Sequence, residues 1–196
     1  MFLLTVLVAS LILTAEPDST SIKLGEVDEG AVGTITAAVE AAPRNGVVTI
    51  DINSLGGNGF NLLQMLAVSE AAWDRHVTVA CVVRGIAASA AAIFFSAGCD
   101  VRIMHSSAHL LFHKAYVKKP FILGAVTPEE QRDVGKLNEV ISSIISQHSG
   151  LSVYEYNSHV NNGDWYVSAA EAVRLGLADT VVPGRPVKSN TYDPTP

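Results

Sequence analysis

The chain has 196 residues, of which 48% are hydrophobic, and a formal net charge of −6 at pH 7. A chain of this length can bury a substantial core, and the length favours a single domain. The thirteen lysine and arginine residues are scattered along the sequence rather than grouped. The chain therefore lacks the basic surface on which nucleic-acid binding depends, and nucleic acid is excluded as the expected partner.

The chain begins with an apolar run of fifteen residues, followed by the polar segment 16–21. Because a membrane crossing needs about twenty apolar residues, the run predicts a cleaved signal better than a stable transmembrane helix. No lysine or arginine precedes it, and Leu13 is large for a cleavage site at Ala15, so an N-terminal segment packed into a subunit interface is the alternative. We expect residues 1–20 to be a signal peptide or membrane anchor, and the protein to be exported, periplasmic or secreted, or membrane-anchored rather than cytoplasmic.

Strand and helix patterns alternate along the rest of the chain, which predicts a largely parallel sheet. The clearest strand is the β-branched, turn-bounded segment 46–52, and the clearest helix opens at Thr127 with an N-cap, a proline and a glutamate and runs to about residue 148. The other predicted elements are strands at 22–24, 76–83, 100–104, 109–112 and 178–182, and helices at 30–42, 60–73, 88–97 and 168–176. We therefore expect one domain over residues 21–185 and a disordered tail over 186–196.

The two cysteines, Cys81 and Cys99, lie in apolar surroundings without a CxxC or Cys/His spacing. This pattern favours small buried hydrophobic side chains over a metal site or a disulfide framework. A disulfide between them is the alternative if the chain is exported.

A glycine-rich segment, INSLGGNG at 52–59, lies where a predicted strand leads into a helix. Glycines there permit positive φ and close approach of a substrate to backbone N–H groups, as an oxyanion hole or a phosphate cradle requires. Neither the dinucleotide-binding GxGxxG pattern nor the P-loop ending is present, and an ordinary glycine turn is the alternative.

A second strand-to-helix junction carries small side chains around one hydroxyl, GIAASAAA at 85–92. Ser89 is placed at the N-terminus of the predicted helix, where the helix dipole and free N–H groups favour a developing negative charge. Ser89 is therefore a candidate nucleophile, and a simple helix cap is the alternative.

His113 ends the apolar strand 109–112, and Asp164 follows the turn-forming residues 161–163. A histidine at the end of a strand can act as general base when a carboxylate fixes its tautomer. The alternatives are a core histidine satisfied by backbone groups and an aspartate that stabilises a turn.

These segments together resemble the proteolytic subunit of Clp-type serine peptidases, over about residues 21–185. The family's INSPGG loop is similar to 52–57, and its nucleophile segment GQAASMGA is similar to 85–92. Its strand ending in MIH resembles 110–113, and its Asp-aromatic-SAxEAxxxGLxD stretch is similar to 164–179. The four segments occur in the family's order and at nearly its spacing.

The resemblance implies a ClpP/crotonase-like α/β fold of repeated β-β-α units, with the helix 127–148 projecting as a handle. It implies hydrolysis of peptide bonds through an acyl-enzyme, with Ser89 as nucleophile, His113 as general base and Asp164 orienting the histidine. It implies no metal and no cofactor.

The resemblance also assigns backbone roles to the two small-residue segments. It implies that the N–H groups of Gly57 and Ala90 form the oxyanion hole and that Gly56 contacts the substrate.

The chain departs from the family in ways that bear on partners. Thr49 and Asp51 replace aromatic residues of the chaperone-docking strand, so we do not expect an ATP-driven unfoldase to dock. Gly163 replaces a basic residue used between rings, Leu55 replaces the loop proline, and Ala90 replaces a bulkier residue. We expect an ATP-independent peptidase that acts on peptides or unfolded proteins.

The handle helix carries a broad apolar face with little left in a small domain to cover it, which predicts a homo-oligomer. That face consists of Leu137, Val140, Ile141, Ile144 and Ile145.

Two other functions stay open. One is a signal-peptide-peptidase-like protease with a Ser/Lys dyad, for which Lys114, Lys118 and Lys119 are the lysines nearest the histidine strand. The other is a non-catalytic crotonase-fold protein, acting as an assembly subunit or an acyl-thioester binder.

Overall fold

The computed structural model describes residues 21–118 and 125–184. The elements within these residues are β1 (Ser21–Leu24), α1 (Glu29–Ala41), β2 (Val47–Ser54), α2 (Gly59–Asp74), β3 (Thr78–Ala88), α3 (Ala90–Ala97), β4 (Val101–His105), β5 (His109–Phe112), α4 (Pro128–His148), α5 (Val153–Val160), β6 (Trp165–Ser168), α6 (Ala169–Arg174) and β7 (Thr180–Val182). The expected signal or anchor at 1–20 and the expected tail at 186–196 lie outside the described residues.

The strands form one seven-stranded sheet with the main order β1-β2-β3-β4-β7, in which all neighbours are parallel. β5 pairs in parallel with the end of β3 and antiparallel with β6. The α/β fold with a largely parallel sheet, predicted from the alternation of strands and helices, is confirmed.

β3 is longer than its sequence pattern predicts. The pattern ends the strand at residue 83 and starts a helix at 88, whereas the strand continues to Ala88 and α3 begins at Ala90. The additional residues pair with β5, with Ile86 opposite His109 and Ala88 opposite Leu111. The small side chains of this stretch have low strand propensity, so only pairing with a distant segment determines their conformation.

The sequence pattern missed α5 and β6. α5 has a full capping box at Ser152 and Glu155, but it buries only Tyr156 and Val160. β6 has four residues, of which only Val167 is buried. With only one or two buried apolar residues each, these segments show neither a helical nor a strand period in the sequence.

Among the described helices α3 is the most buried, with seven of its eight residues buried. A helix that is apolar on every side packs inside a core rather than against its surface. α3 follows Ser89 directly, so the core fixes the position of the turn that carries this residue.

The handle helix α4 begins as predicted, with a capping box between Thr127 and Glu130. Its first half is mostly exposed, whereas Ile141 and Ile145 belong to the main core. The expectation that the domain leaves little to cover the apolar face is therefore wrong for these two residues, although Val140 is 44% exposed. No helix among residues 21–118 and 125–184 is long and apolar enough to cross a membrane.

The interpretation of the cysteines as two separate buried thiols is wrong. Both are buried as expected, but Cys81 and Cys99 form a disulfide with their Cα atoms 5.9 Å apart. Cys81 lies in β3 and Cys99 follows α3, so tertiary packing rather than sequence spacing brings them together. The disulfide closes a loop that contains Ser89 and the whole of α3.

Arg84 on β3 contacts one polar residue on each neighbouring strand, Asp51 on β2 and His105 on β4. The Arg84 guanidinium donates to Asp51 Oδ2 at 3.0 Å and lies 2.8 Å from His105 Nε2. Because a guanidinium has no acceptor, Nε2 must be unprotonated to accept this bond. Desolvation, followed by the charge of Arg84, lowers the pKa of His105, and Asp51 partly opposes this effect.

We expect reduction of Cys81–Cys99 to destabilise the protein by about 3 kcal/mol, because the closed loop spans 18 residues. Urea denaturation with and without dithiothreitol measures the difference. The double variant Cys81→Ala/Cys99→Ala is the control and should not respond to reductant. An equal stability of the wild-type protein in both conditions would contradict a structural role for the disulfide.

We also expect stability to decrease as the pH falls below about 6.5, the ordinary pKa of histidine. As the pH falls, His105 is protonated in the unfolded chain before it is protonated in the folded protein, because its folded pKa is lower. The stability that His105 contributes at neutral pH is therefore lost as the pH falls from the ordinary pKa to the lowered one. The variant His105→Gln should show a smaller difference in melting temperature between pH 5 and pH 8. If the two proteins show the same difference, His105 does not contribute to the pH dependence.

Candidate active site

Ser89 occupies the turn between β3 and α3 in a rare backbone conformation, with φ 55° and ψ −127°. Positive φ is uncommon for a residue with a side chain and occurs often at functional sites. Its N–H donates to Leu111 O at 2.7 Å, and its hydroxyl does not cap the helix. Ser89 is therefore not the simple helix cap that the sequence left as an alternative.

The glycine loop packs directly against this turn. A Cβ atom added to Gly56 would lie 2.7 Å from Ala88 O, 2.7 Å from Ser89 Cβ and 3.2 Å from Ala90 N. Gly56 also has φ 101°, which favours glycine. Only a residue without a side chain fits between the loop and the serine.

Two residues that the sequence did not single out hold the loop in place. The hydroxyl of Ser54, a residue of the INSLGG segment, accepts the Gly56 N–H at 3.0 Å. The Val27 N–H donates to Gly56 O at 2.9 Å, and Val27 O accepts the Asn58 N–H at 2.8 Å. Nothing in the sequence around Val27 indicates this role, which depends on a bridge to a distant loop.

The backbone N–H groups of Gly57 and Ala90 have no hydrogen-bond acceptor among the described residues. Both belong to the two segments that meet at Gly56 and Ser89. Stabilisation of a tetrahedral oxyanion requires N–H groups without other acceptors near the nucleophile, so these two groups are candidates for that role.

Strand pairing brings the three candidate side chains to one edge of the sheet. Phe112, the last residue of β5, lies opposite Trp165, the first residue of β6. His113 follows Phe112 and Asp164 precedes Trp165, so the antiparallel register, if continued by one residue, places His113 opposite Asp164. Ser89 follows β3, which pairs with the other side of β5.

His113 and Asp164 line the same open cleft, which has a volume of about 460 Å³. The other lining residues are Leu55, Ala88, Leu111, Lys114, Tyr116, Val160, Asn161 and Gly163. Ala88, Leu111 and Val160 are buried, whereas Leu55 and Tyr116 are exposed at 78% and 68%. The cleft therefore has an apolar base and an aromatic and aliphatic rim, and its residue Ala88 directly precedes Ser89 in the chain.

No hydrogen bond joins the three candidate side chains, and Ser89 is not among the residues that line the cleft of His113 and Asp164. His113 Nδ1 lies 2.7 Å from Lys114 O. Because a carbonyl oxygen only accepts, Nδ1 carries a proton, and in the neutral imidazole Nε2 then has the free lone pair that a general base requires. Asp164 is exposed and forms no hydrogen bond or ion pair with another described residue.

Aromatic packing supports the strands on either side of the cleft. Phe112 and Trp165 have ring centroids 5.4 Å apart, and Phe112 meets Tyr156 edge-on at 5.9 Å. Burial raises the pKa of Tyr156. These rings fix the residue before His113 and the residue after Asp164, so the separation of the two backbones is set by the core.

The family model for Clp protease matches residues 22–185. The chain is also similar to the ATP-dependent Clp protease proteolytic subunit 4 of Rhodococcus jostii (strain RHA1), with 27% identity over 165 residues that cover 80% of each chain. The matched residues include the glycine loop, the turn at Ser89 and the segments of His113 and Asp164.

We expect Gly56→Ala to destabilise the protein by about 1–3 kcal/mol, because it strains the backbone and forces the loop away from Ser89. Urea denaturation followed by circular dichroism measures the change. The control is Gly33→Ala in the exposed face of α1, where an added Cβ meets nothing within 4 Å and should stabilise the helix by up to about 1 kcal/mol. Equal effects of both substitutions would show that the loop does not need a glycine.

Proposed function

Because the chain belongs to the Clp protease family, whose members are serine-type peptidases, we propose that it is a serine endopeptidase with the triad Ser89, His113 and Asp164. The observation that carries the proposal is the backbone of Ser89. It has positive φ and is enclosed by Gly56 and by the bond to Leu111 O. Its hydroxyl is not used by the helix that follows. A strained serine with a free hydroxyl, next to unpaired N–H groups, suits a nucleophile better than a structural residue.

In the proposed reaction, Ser89 Oγ attacks the carbonyl carbon of a peptide bond and its proton passes to His113 Nε2. The N–H groups of Gly57 and Ala90 hold the oxyanion, and each such donor contributes about 3 kcal/mol to barrier lowering. The C–N bond then breaks, and His113 returns the proton to the leaving amine. Water, deprotonated by the same imidazole, then attacks the ester; the acyl C–O bond breaks and His113 returns the proton to Ser89 Oγ.

The cleft supports a peptide or unfolded protein as the substrate. Its base is formed by the buried side chains of Ala88, Leu111 and Val160, which suits an apolar side chain. Members of this family act on peptide substrates and form oligomers, and a homo-oligomer is part of the proposal.

We further propose that the enzyme works without ATP and is exported. The relative from Rhodococcus jostii carries the words ATP-dependent in its name, but Asp51 of this chain is held in an ion pair with Arg84. A charged pair on this strand does not suit an apolar docking contact with an unfoldase. The disulfide between Cys81 and Cys99 supports an oxidising compartment.

Labelling with a fluorophosphonate probe tests the proposed nucleophile. We expect one covalent adduct on Ser89, detected by mass spectrometry of the labelled peptide, and none in Ser89→Ala. The control is Ser152→Ala, because Ser152 also precedes a helix but caps it through its hydroxyl. A folded wild-type protein that is not labelled would support the non-catalytic alternative.

The same assay separates the triad from a Ser/Lys dyad. Lys114 lines the cleft beside His113, while Lys119 lies outside the described residues. We expect His113→Ala to slow labelling by about 10²-fold or more and Lys114→Ala to leave the rate within about twofold. The reverse result would favour the dyad and remove His113 from the mechanism.

A further inference from the structure

Asn138, near the middle of α4, uses every hydrogen-bonding group of its side chain. Its Oδ1 accepts the Ala115 N–H at 2.8 Å. Its Nδ2 donates to Ala115 O at 3.2 Å and to Val134 O at 3.0 Å. These three bonds fix the orientation of the amide, because the opposite orientation would place two N–H groups against each other.

The peptide between Lys114 and Ala115 connects the side chain of Asn138 to the side chain of His113. The N–H of Ala115 and the C=O of Lys114 belong to the same planar group, which moves as one rigid body. Asn138 Oδ1 holds the N–H end, and His113 Nδ1 lies 2.7 Å from the oxygen end. Hydrogen bonds arranged in such a chain polarise and strengthen one another.

Asn138 is itself anchored in the interior of the domain. The hydroxyl of Ser142 lies 2.8 Å from Asn138 O and 2.8 Å from Asn157 Oδ1, which belongs to α5. Ser142 is 2% exposed, and its neighbour Ile141 belongs to the main core. The two hydrogen bonds between Asn138 and Ala115 therefore start from a part of α4 that packs in the interior, not from its exposed first half.

We propose that Asn138 is a positioning residue for His113, which it orients through the Lys114–Ala115 peptide. The proposal rests on the function proposed for His113 as general base. Asn138 holds the imidazole in the Nδ1–H tautomer, so that Nε2 is free to take the proton of Ser89. Because the path from Asn138 does not include Asp164, the Lys114 carbonyl is a second acceptor for the Nδ1–H besides the proposed carboxylate.

The tautomer of His113 provides a test that does not depend on activity. Nitrogen-15 NMR of the histidine side chains at pH 8 should show His113 with the proton on Nδ1, its signals identified by their absence in His113→Gln. In Asn138→Ala we expect a mixture of both tautomers. Ser143→Ala, an exposed position of the same helix, should leave the spectrum unchanged.

A conservative variant separates positioning from folding. Asn138→Asp keeps an oxygen that accepts the Ala115 N–H, so it should restore the Nδ1–H tautomer that Asn138→Ala loses. We expect labelling of Ser89 to slow by about 10-fold to 10²-fold in Asn138→Ala, as a small displacement of a reacting group causes, and to recover in Asn138→Asp. Circular dichroism and melting temperature confirm that each variant is folded.

An unchanged His113 tautomer in folded Asn138→Ala would overturn the proposal, as would equal loss of the tautomer in Asn138→Ala and Asn138→Asp. Failure of the proposed function gives a different result. In that case the wild-type protein is not labelled at Ser89, while the tautomer still follows the variants of Asn138 and the positioning role stands.

Discussion

The pairing of β3 along its length is the constraint on which the candidate site depends. Residues Ala80–Val83 pair with β4, and Ile86–Ala88 pair with β5 on the same side of the strand. Between them the chain passes Gly85, where an added Cβ would lie 2.9 Å from Asn53 Oδ1. Because one strand serves both partners, the turn that follows β3 opens directly beside the end of β5.

The core stabilises the unfavourable backbone at Ser89. A residue held at positive φ costs about 1–3 kcal/mol, and the bond from its N–H to Leu111 O returns about 1 kcal/mol. The helix that follows buries Phe94 and Phe95 completely, and each such side chain contributes about 1.5–3 kcal/mol. The turn cannot relax without moving α3, so the burial of this helix outweighs the strain.

The sequence predicts the parts of this protein that are determined locally. The capping box at Thr127, the apolar periods of the longer helices and the glycine loop are all local signals, and the structure has each of these elements. The disulfide, the extension of β3 to Ala88 and the bridge from Val27 to Gly57 join residues distant in the chain. Contacts of this kind leave no periodicity in the sequence, which is why the spacing of Cys81 and Cys99 does not predict their disulfide.

The candidate site also contains residues that local sequence signals predict and residues that only distant contacts reveal. The sequence identified Ser89, His113 and Asp164 because the segments around them resemble a known family. It gave no indication of Asn138, whose position in the handle helix has the ordinary pattern of a half-exposed polar residue. Its role depends on the contact with Ala115, which only the packing of the helix beside the strand creates.

The site is therefore divided between a rigid part and an exposed part. Ser89 and the glycine loop are fixed by the core, whereas Asp164 is exposed and His113 is only half-buried. An ion pair in water contributes little, because the solvent screens the charges and competes for their hydrogen bonds. A carboxylate in this position orients a histidine weakly until water is excluded from the cleft. In the proposed function, a bound peptide would cover the exposed Leu55 and Tyr116 at the rim and exclude water, which favours a hydrogen bond between His113 and Asp164 that the structure does not show. Until then, the peptide held by Asn138 keeps the imidazole in the tautomer that the reaction requires.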